Sequence, residues 1–329
     1  MVMLLLGNIP WTMATPKVDL NDLDNQEIPQ KRLLQGYKTM SNILINGKKL
    51  GSFVDLSTIA YQDKNIAVNA YGTSPEKLIY GTLFDKRELI SKLVTHLIHP
   101  ADNLGRLGGN RKCWVKDQTL VDVNGGSLVK QQASIKDYRM EYQQHLPGFM
   151  LNTQYYAKGH EAPCADFLTA DEQKLTFLFT NAAPMSQSLN NGKWKGFENL
   201  LRLYSDALQR ELIIITLCSG QMMDDSTFPP QPLKLNNRIT VPERFAKVVI
   251  DPYLKESAMV YTSKNELQHK DLYDLYVEYD LTSAKIKMMF PELNYLDFYD
   301  CNPSGKPYQM IEAVKQIAPT QNIFSKPKN

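Results

Sequence analysis

From residue 193 the chain reads KWKGFENLLRLYSDALQRE and then, with no Gly or Pro between, LIIITLCSG. Two periodicities meet there. In the first stretch Phe197, Leu200, Leu201, Tyr204, Ala207 and Leu208 recur at helical spacing and form one apolar stripe, while Lys195, Glu198, Arg202 and Asp206 occupy other faces. The second is apolar at nearly every position and rich in β-branched residues, the pattern of a strand buried on both faces. FAKVVID, residues 245–251, reads as another such strand, with RITVPERF leading into it. A chain with both patterns is a mixed protein of helices and sheet.

The rest of the sequence extends this order. SNILI, GSFVDLS and NIAVNAY, separated by Asn-Gly and Gly, predict strands and hairpins before residue 72. FDKRELISKLVTHLI predicts a helix over 84–98. HPADNLGRLGGNRK is punctuated by Pro, Gly and basic residues and predicts a loop suited to phosphate. IKDYRMEYQQHL predicts a short helix on Tyr138, Tyr142 and Leu146, and KLTFLFTN predicts a strand on alternating Leu175, Phe177 and Phe179. The class is therefore α+β. Residues 1–40 form a leading segment, polar after a first apolar run that reads as a weak or truncated signal peptide or as a buried N-terminal segment. A main domain spans 41–318, and 319–329 is a basic tail.

Composition narrows the function classes. Lys and Arg number 37 against 35 Asp and Glu, a net charge of +2, so any polyanion must be met by a local patch and not by the field of the whole molecule. Lys112, Lys130, Lys158, Lys193 and Lys195 are candidates for such a patch. Cys113, Cys164, Cys218 and Cys301 form no CxxC pair, which argues against a cysteine zinc site and leaves disulfides open. No stretch reaches the eighteen apolar residues of a membrane-spanning helix, so no membrane partner is expected.

Chemistry concentrates in residues 155–204. YYAKGHEAPCADF places His160 behind Lys158 and Gly159, Asn181 ends the predicted strand, and SLNNGKWKGFE follows. Asn190, Trp194 and Glu198 are spaced i, i+4 and i+8, so a helix beginning near Asn190 would carry them on one side. An amide oxygen with a carboxylate two turns deeper suits hydrated Mg2+, which prefers oxygen ligands and keeps several waters. A neutral histidine opposite such an ion can take a proton from an attacking water.

AKGHEAP, then ADF, TFLFTNAAP and SLNNGKWKGFE together resemble the DNA/RNA non-specific endonucleases of the ββα-metal superfamily. The likeness includes the family's Asp-Arg-Gly-His motif followed by a small residue and Pro, and its Asn-x-Gly-x-Trp-x-x-x-Glu pattern, and ITVPERFAKVVID is similar to its Val-Pro-x-x-x-x-Lys strand. The resemblance is strongest over 155–204, looser over about 60–302, and closest to the secreted arthropod-type branch. It implies a central, mainly antiparallel sheet flanked by helices. It also implies Mg2+-dependent cleavage of DNA or RNA through the phosphate backbone to 5′-phosphorylated products, with Mn2+ as a substitute ion.

Carried onto this chain, it implies His160 as general base, Asn190 as the direct metal ligand and Glu198 as holder of metal-bound water. Asn181 would orient the base or the phosphate, Lys158 would supply a nearby cation, and Gly159 would let the substrate backbone approach. One of Arg106, Arg111 and Arg139 would assist the transition state. Ala157 and Lys158 stand where many members have Asp and Arg, and Lys for Arg forfeits a bidentate phosphate contact. Those departures motivate a second reading, a catalytically weakened member that binds nucleic acid or protein. The expected location is secreted or a digestive or lysosomal compartment, with a mitochondrial one as the alternative. The oligomeric state is left open, a homodimer included.

Overall fold

The computed structural model describes residues 65–74, 77–101, 114–118, 120, 126–251, 253–254, 256–267 and 274–278, together with the backbone of three short strands, Met3–Leu5, Asn42–Ile45 and Lys48–Lys49. Those three form a small antiparallel sheet of their own. The main sheet has seven strands: β1 (Ile66–Ser74), β2 (Lys77–Asp85), β3 (Ile90–Ile98), β6 (Leu212–Ser219), β7 (Arg244–Asp251), β8 (Glu256–Thr262) and β9 (Leu275–Glu278). Their spatial order is β9-β8-β7-β6-β3-β2-β1, and every neighbouring pair is antiparallel. A two-stranded ribbon, β4 (Tyr156–His160) with β5 (Ala182–Ser186), and the helices α1 (Ala170–Leu175), α2 (Gln187–Asn191) and α3 (Lys193–Leu208) complete the frame.

The central strands explain themselves. β6 is buried along its whole length and β7 at all but its first residue, so their β-branched side chains pack on both faces, as the continuous apolar runs predict. α3 lays Trp194, Phe197, Leu200, Leu201 and Tyr204 into the main core. Burying each such side chain contributes ~1.5–3 kcal/mol, so the helix is held by packing more than by propensity. Ala207 and Leu208 are exposed, because the stripe rotates off the core in the last turn before Gln209 ends the helix at φ 50°.

Three predicted elements differ. Residues 84–98 are the end of β2, a turn and β3, not a helix. KLTFLFTN is the end of α1 and a 3-10 turn, Phe179–Asn181, joined to Val115 by a single bridge at Leu178. IKDYRMEYQQHL is two 3-10 turns, Ile135–Tyr138 and Met140–Tyr142, not a regular helix. The strand predicted at GSFVDLS and the loop over 102–113 lie outside the described residues.

Candidate active site

His160 is the last residue of β4, paired with Ala182 of β5. Its ring sits 4.4 Å from the Trp114 ring and edge-on to Phe177 at 4.9 Å. The Nε2 atom is buried and has no hydrogen-bond partner. Burial pushes the imidazole down to about 3, and Lys158 and Lys247 add to this against the opposing charge of Asp166. The ring is therefore neutral across physiological pH, with its buried nitrogen unsatisfied by protein.

The turn after His160 is gripped from two directions. Asn181, fully buried, accepts a bond from the Ala162 backbone N–H at 2.8 Å and donates to the carbonyls of Ala162 and Thr176, both at 2.9 Å. Its own carbonyl receives the Glu161 N–H at 3.1 Å. From the sheet side, Thr216 Oγ1 and Lys247 Nζ donate to the Glu161 carbonyl at 2.8 and 3.0 Å. The Glu161 carboxyl is buried with the Cys218 thiol beside it, and burial raises it well above the usual range although that thiol and Lys247 oppose the shift.

Gly159 has a packing reason. A Cβ built there would lie 2.6 Å from Met185 Cβ on the paired strand. The space its missing side chain leaves is filled by the protein, so strand packing by itself calls for glycine here. Lys158 shares a strand face with His160 and lies 5.2 Å over the Tyr138 ring, where burial lowers its ammonium below the usual lysine range.

The expected single helix carrying Asn190, Trp194 and Glu198 is broken. α2 ends at Asn191, Gly192 turns the chain, and α3 begins at Lys193. A Cβ at Gly192 would come within 2.4 Å of the Ser188 carbonyl, so the break needs glycine. α2 packs against β4 and β5, which keeps Asn190 next to the ribbon that bears His160. Asn190 is half-buried, and its amide makes no protein hydrogen bond among the described residues.

Glu198 points inward from α3. One oxygen lies 3.7 Å from Lys247 Nζ, and burial raises the carboxyl to about 7 even though Lys247 opposes the shift. Four residues from it, Arg202 donates to Asp166 Oδ1 at 2.7 Å, and His96 Nε2 meets Asp166 Oδ2 at 2.8 Å. Burial pushes the Asp166 carboxyl up, but the His96 bond and the Arg202 charge outweigh it and hold it below the usual range.

The helical spacing puts Arg202 off the apolar stripe, and the sequence motifs assign no role to Lys247, Asp166 or His96. The signals were a basic residue one turn from Glu198 and a lysine inside an otherwise apolar buried strand. Arg139 is exposed and pairs with Glu141 at 3.3 Å, while Arg106, Arg111 and Lys112 lie outside the described residues. Of the other patch candidates, Lys130 and Lys195 are exposed and Lys193 pairs with Asp274. Cys164 and Cys218 are free thiols, so neither forms an expected disulfide, and Cys113 and Cys301 lie outside the described residues.

An antiparallel sheet backed by α3, with a buried, unpartnered imidazole nitrogen on β4 and an inward-facing carboxylate on α3, defines an α+β protein. The chain belongs to the DNA/RNA non-specific endonuclease family, whose model matches residues 65–294. It is 29% identical over 188 residues to the salivary endonuclease of Lutzomyia longipalpis, a match covering 57% of this chain and 45% of that protein. A solved EndoG/EndoGI complex is similar at 18% identity with a TM-score of 0.43, covering 59% of this chain and 74% of that one.

Proposed function

We propose that the protein is a Mg2+-dependent, sequence-tolerant endonuclease that hydrolyses phosphodiester bonds of DNA or RNA and leaves 5′-phosphates. The observation that carries the reading is the neutral, partly exposed His160 ring held between Trp114 and Phe177. Family membership supports the reaction class. The name of the salivary relative favours a secreted location.

An amide and a carboxylate, as at Asn190 and Glu198, are the donor types a hydrated ion takes. Among the described residues no group of three or more His, Cys, Asp or Glu could hold a metal, so the donors at hand are an amide oxygen, a carboxylate and water. Asn190 would bind directly and Glu198 would hold bound water, a set that suits Mg2+ and accepts Mn2+. When bound, the ion would neutralise charge on the phosphate and the leaving oxygen.

The chain's own groups do the rest. The partly exposed His160 ring takes the proton of the attacking water, and the aromatic walls of Trp114 and Phe177 fix its plane. Asn181 acts through the backbone of Ala162, holding the turn that carries the base. Lys158 offers a point charge to the phosphate. Contacts to phosphate and sugar carry no base information, which accounts for sequence tolerance.

Two results test this. Asn190→Ala should raise the Mg2+ concentration for half-maximal rate about tenfold or more, in the range seen when metal-binding shells are disrupted. Product fragments should be ligated directly, without kinase treatment. Fragments that first need phosphatase and kinase would carry 3′-phosphates and refute the assigned chemistry.

A further inference from the structure

Register places Val94, Thr216, Lys247 and Val260 side by side across four central strands. Lys247 is 1% exposed in the middle of this row. Burial lowers its ammonium below the usual lysine range. An ammonium there is not explained by stability, since buried ion pairs commonly contribute less than well-packed apolar side chains of the same volume. Its contacts are specific. Nζ donates to Thr216 Oγ1 at 2.7 Å and to the Glu161 carbonyl at 3.0 Å, lies 3.7 Å from Glu198 Oε1, and stands 5.2 Å over the Trp194 ring.

Those partners come from the two halves of the site. The Glu161 carbonyl follows the base in sequence. Glu198 and Trp194 belong to α3, one turn apart on the same face. Thr216 completes the triangle, because its hydroxyl donates to the same Glu161 carbonyl.

We infer that Lys247 is a positioning residue: its ammonium ties the peptide after His160 to Glu198 and so sets the distance between the base and the carboxylate that faces the metal. The inference rests on the function proposed above. Lys247 itself touches neither substrate nor metal in this role. Without it, β4 and α3 keep their packing but lose the shared anchor that fixes one against the other.

Lys247→Met tests it, because methionine keeps the length and apolar volume while removing the donor. The variant should fold, with kcat reduced about 30- to 100-fold, as a shift of order 1 Å between reacting groups implies, and KM for DNA within about threefold. Mn2+ affinity, measured by titration without nucleic acid, should weaken about tenfold. Coulomb's law alone would tighten Mn2+ when a nearby cation is removed, so weaker binding reports lost positioning.

A folded Lys247→Met with kcat and Mn2+ affinity within about twofold of wild type would overturn the inference; that bound lies well inside the losses typical of disrupted second-shell contacts. If that variant does not fold, Thr216→Val decides by the same two readouts, with a smaller loss of about three- to tenfold expected in each because the Lys247 contacts to the Glu161 carbonyl and Glu198 remain. Wild-type protein that neither cleaves nucleic acid nor binds Mn2+ would overturn the proposed function itself. An active wild type with an unaffected Lys247→Met would overturn only the role of Lys247.

Discussion

Gly159→Ala adds one methyl group where there is no room for it. The new Cβ would lie 2.6 Å from Met185 Cβ, 3.1 Å from Met185 Cε and 3.3 Å from the Ala183 carbonyl oxygen. The Cε can swing aside, but Met185 Cβ is fixed to the backbone of β5, which is paired with β4 residue by residue. Reaching an ordinary carbon contact of ~3.5–4.0 Å requires the two strands to part by roughly 1 Å. Overpacking of this kind costs ~1–3 kcal/mol. For a protein of this size each kcal/mol lowers Tm by about 2–4 °C. Because His160 is the next residue, a displacement near 1 Å should also lower kcat by roughly 10²-fold.

Thermal melting and steady-state cleavage on one preparation read both effects. Met185→Gly in the Gly159→Ala background removes the clashing Cβ and should restore at least tenfold of the lost rate, about half the logarithmic loss expected from such a displacement. A glycine kept for substrate approach would behave differently, with KM raised and Tm unchanged. Wild-type Tm and kcat in Gly159→Ala would refute the steric reasoning.

Asn181→Ala should lower stability by at least ~3 kcal/mol in urea denaturation, because three buried backbone groups lose their partners at ~1–3 kcal/mol each; a loss below 1 kcal/mol would contradict that accounting. The metal-free protein should show two opposed pH effects. His160 is depressed to about 3, so the unfolded chain binds its proton first, and its contribution to stability is full above the ordinary histidine range and lost as pH falls towards 3. Glu198 is raised to about 7, so its contribution is full below the ordinary carboxylate range and lost as pH rises through 7. Melting curves of wild type, His160→Asn and Glu198→Gln against pH should separate the two slopes, and identical pH profiles in all three would rule both shifts out.

Where one periodicity dominated, the fold was legible in the sequence. α3 follows from its apolar stripe, and β6 and β7 from unbroken β-branched runs. β3 was hidden because Leu89, Leu93 and Leu97, with Ile90 and Val94, satisfy a helical period while the strand is buried on both faces and shows no alternation. KLTFLFTN alternates like a strand, yet its aromatic residues Phe177 and Phe179 are buried from turns beside Trp114. His160, Asn190 and Glu198 stand out in sequence because the motifs that carry them are local. Lys247 closes the Val-Pro-x-x-x-x-Lys pattern, but its partners, and the Asp166 contacts of His96 and Arg202, were not legible, since those partnerships join residues 36 to 86 positions apart. The break at Gly192 depends on a close approach to Ser188 that spacing alone does not reveal.

The most direct measurement incubates the purified protein with supercoiled plasmid and with total RNA, in Mg2+ and in EDTA, beside His160→Ala of matched fold. The account predicts degradation in Mg2+, none in EDTA, and near-complete loss in the variant with nucleic-acid binding retained. A folded wild type that leaves both substrates intact across several divalent ions, or a His160→Ala variant that cleaves at the wild-type rate, would contradict it.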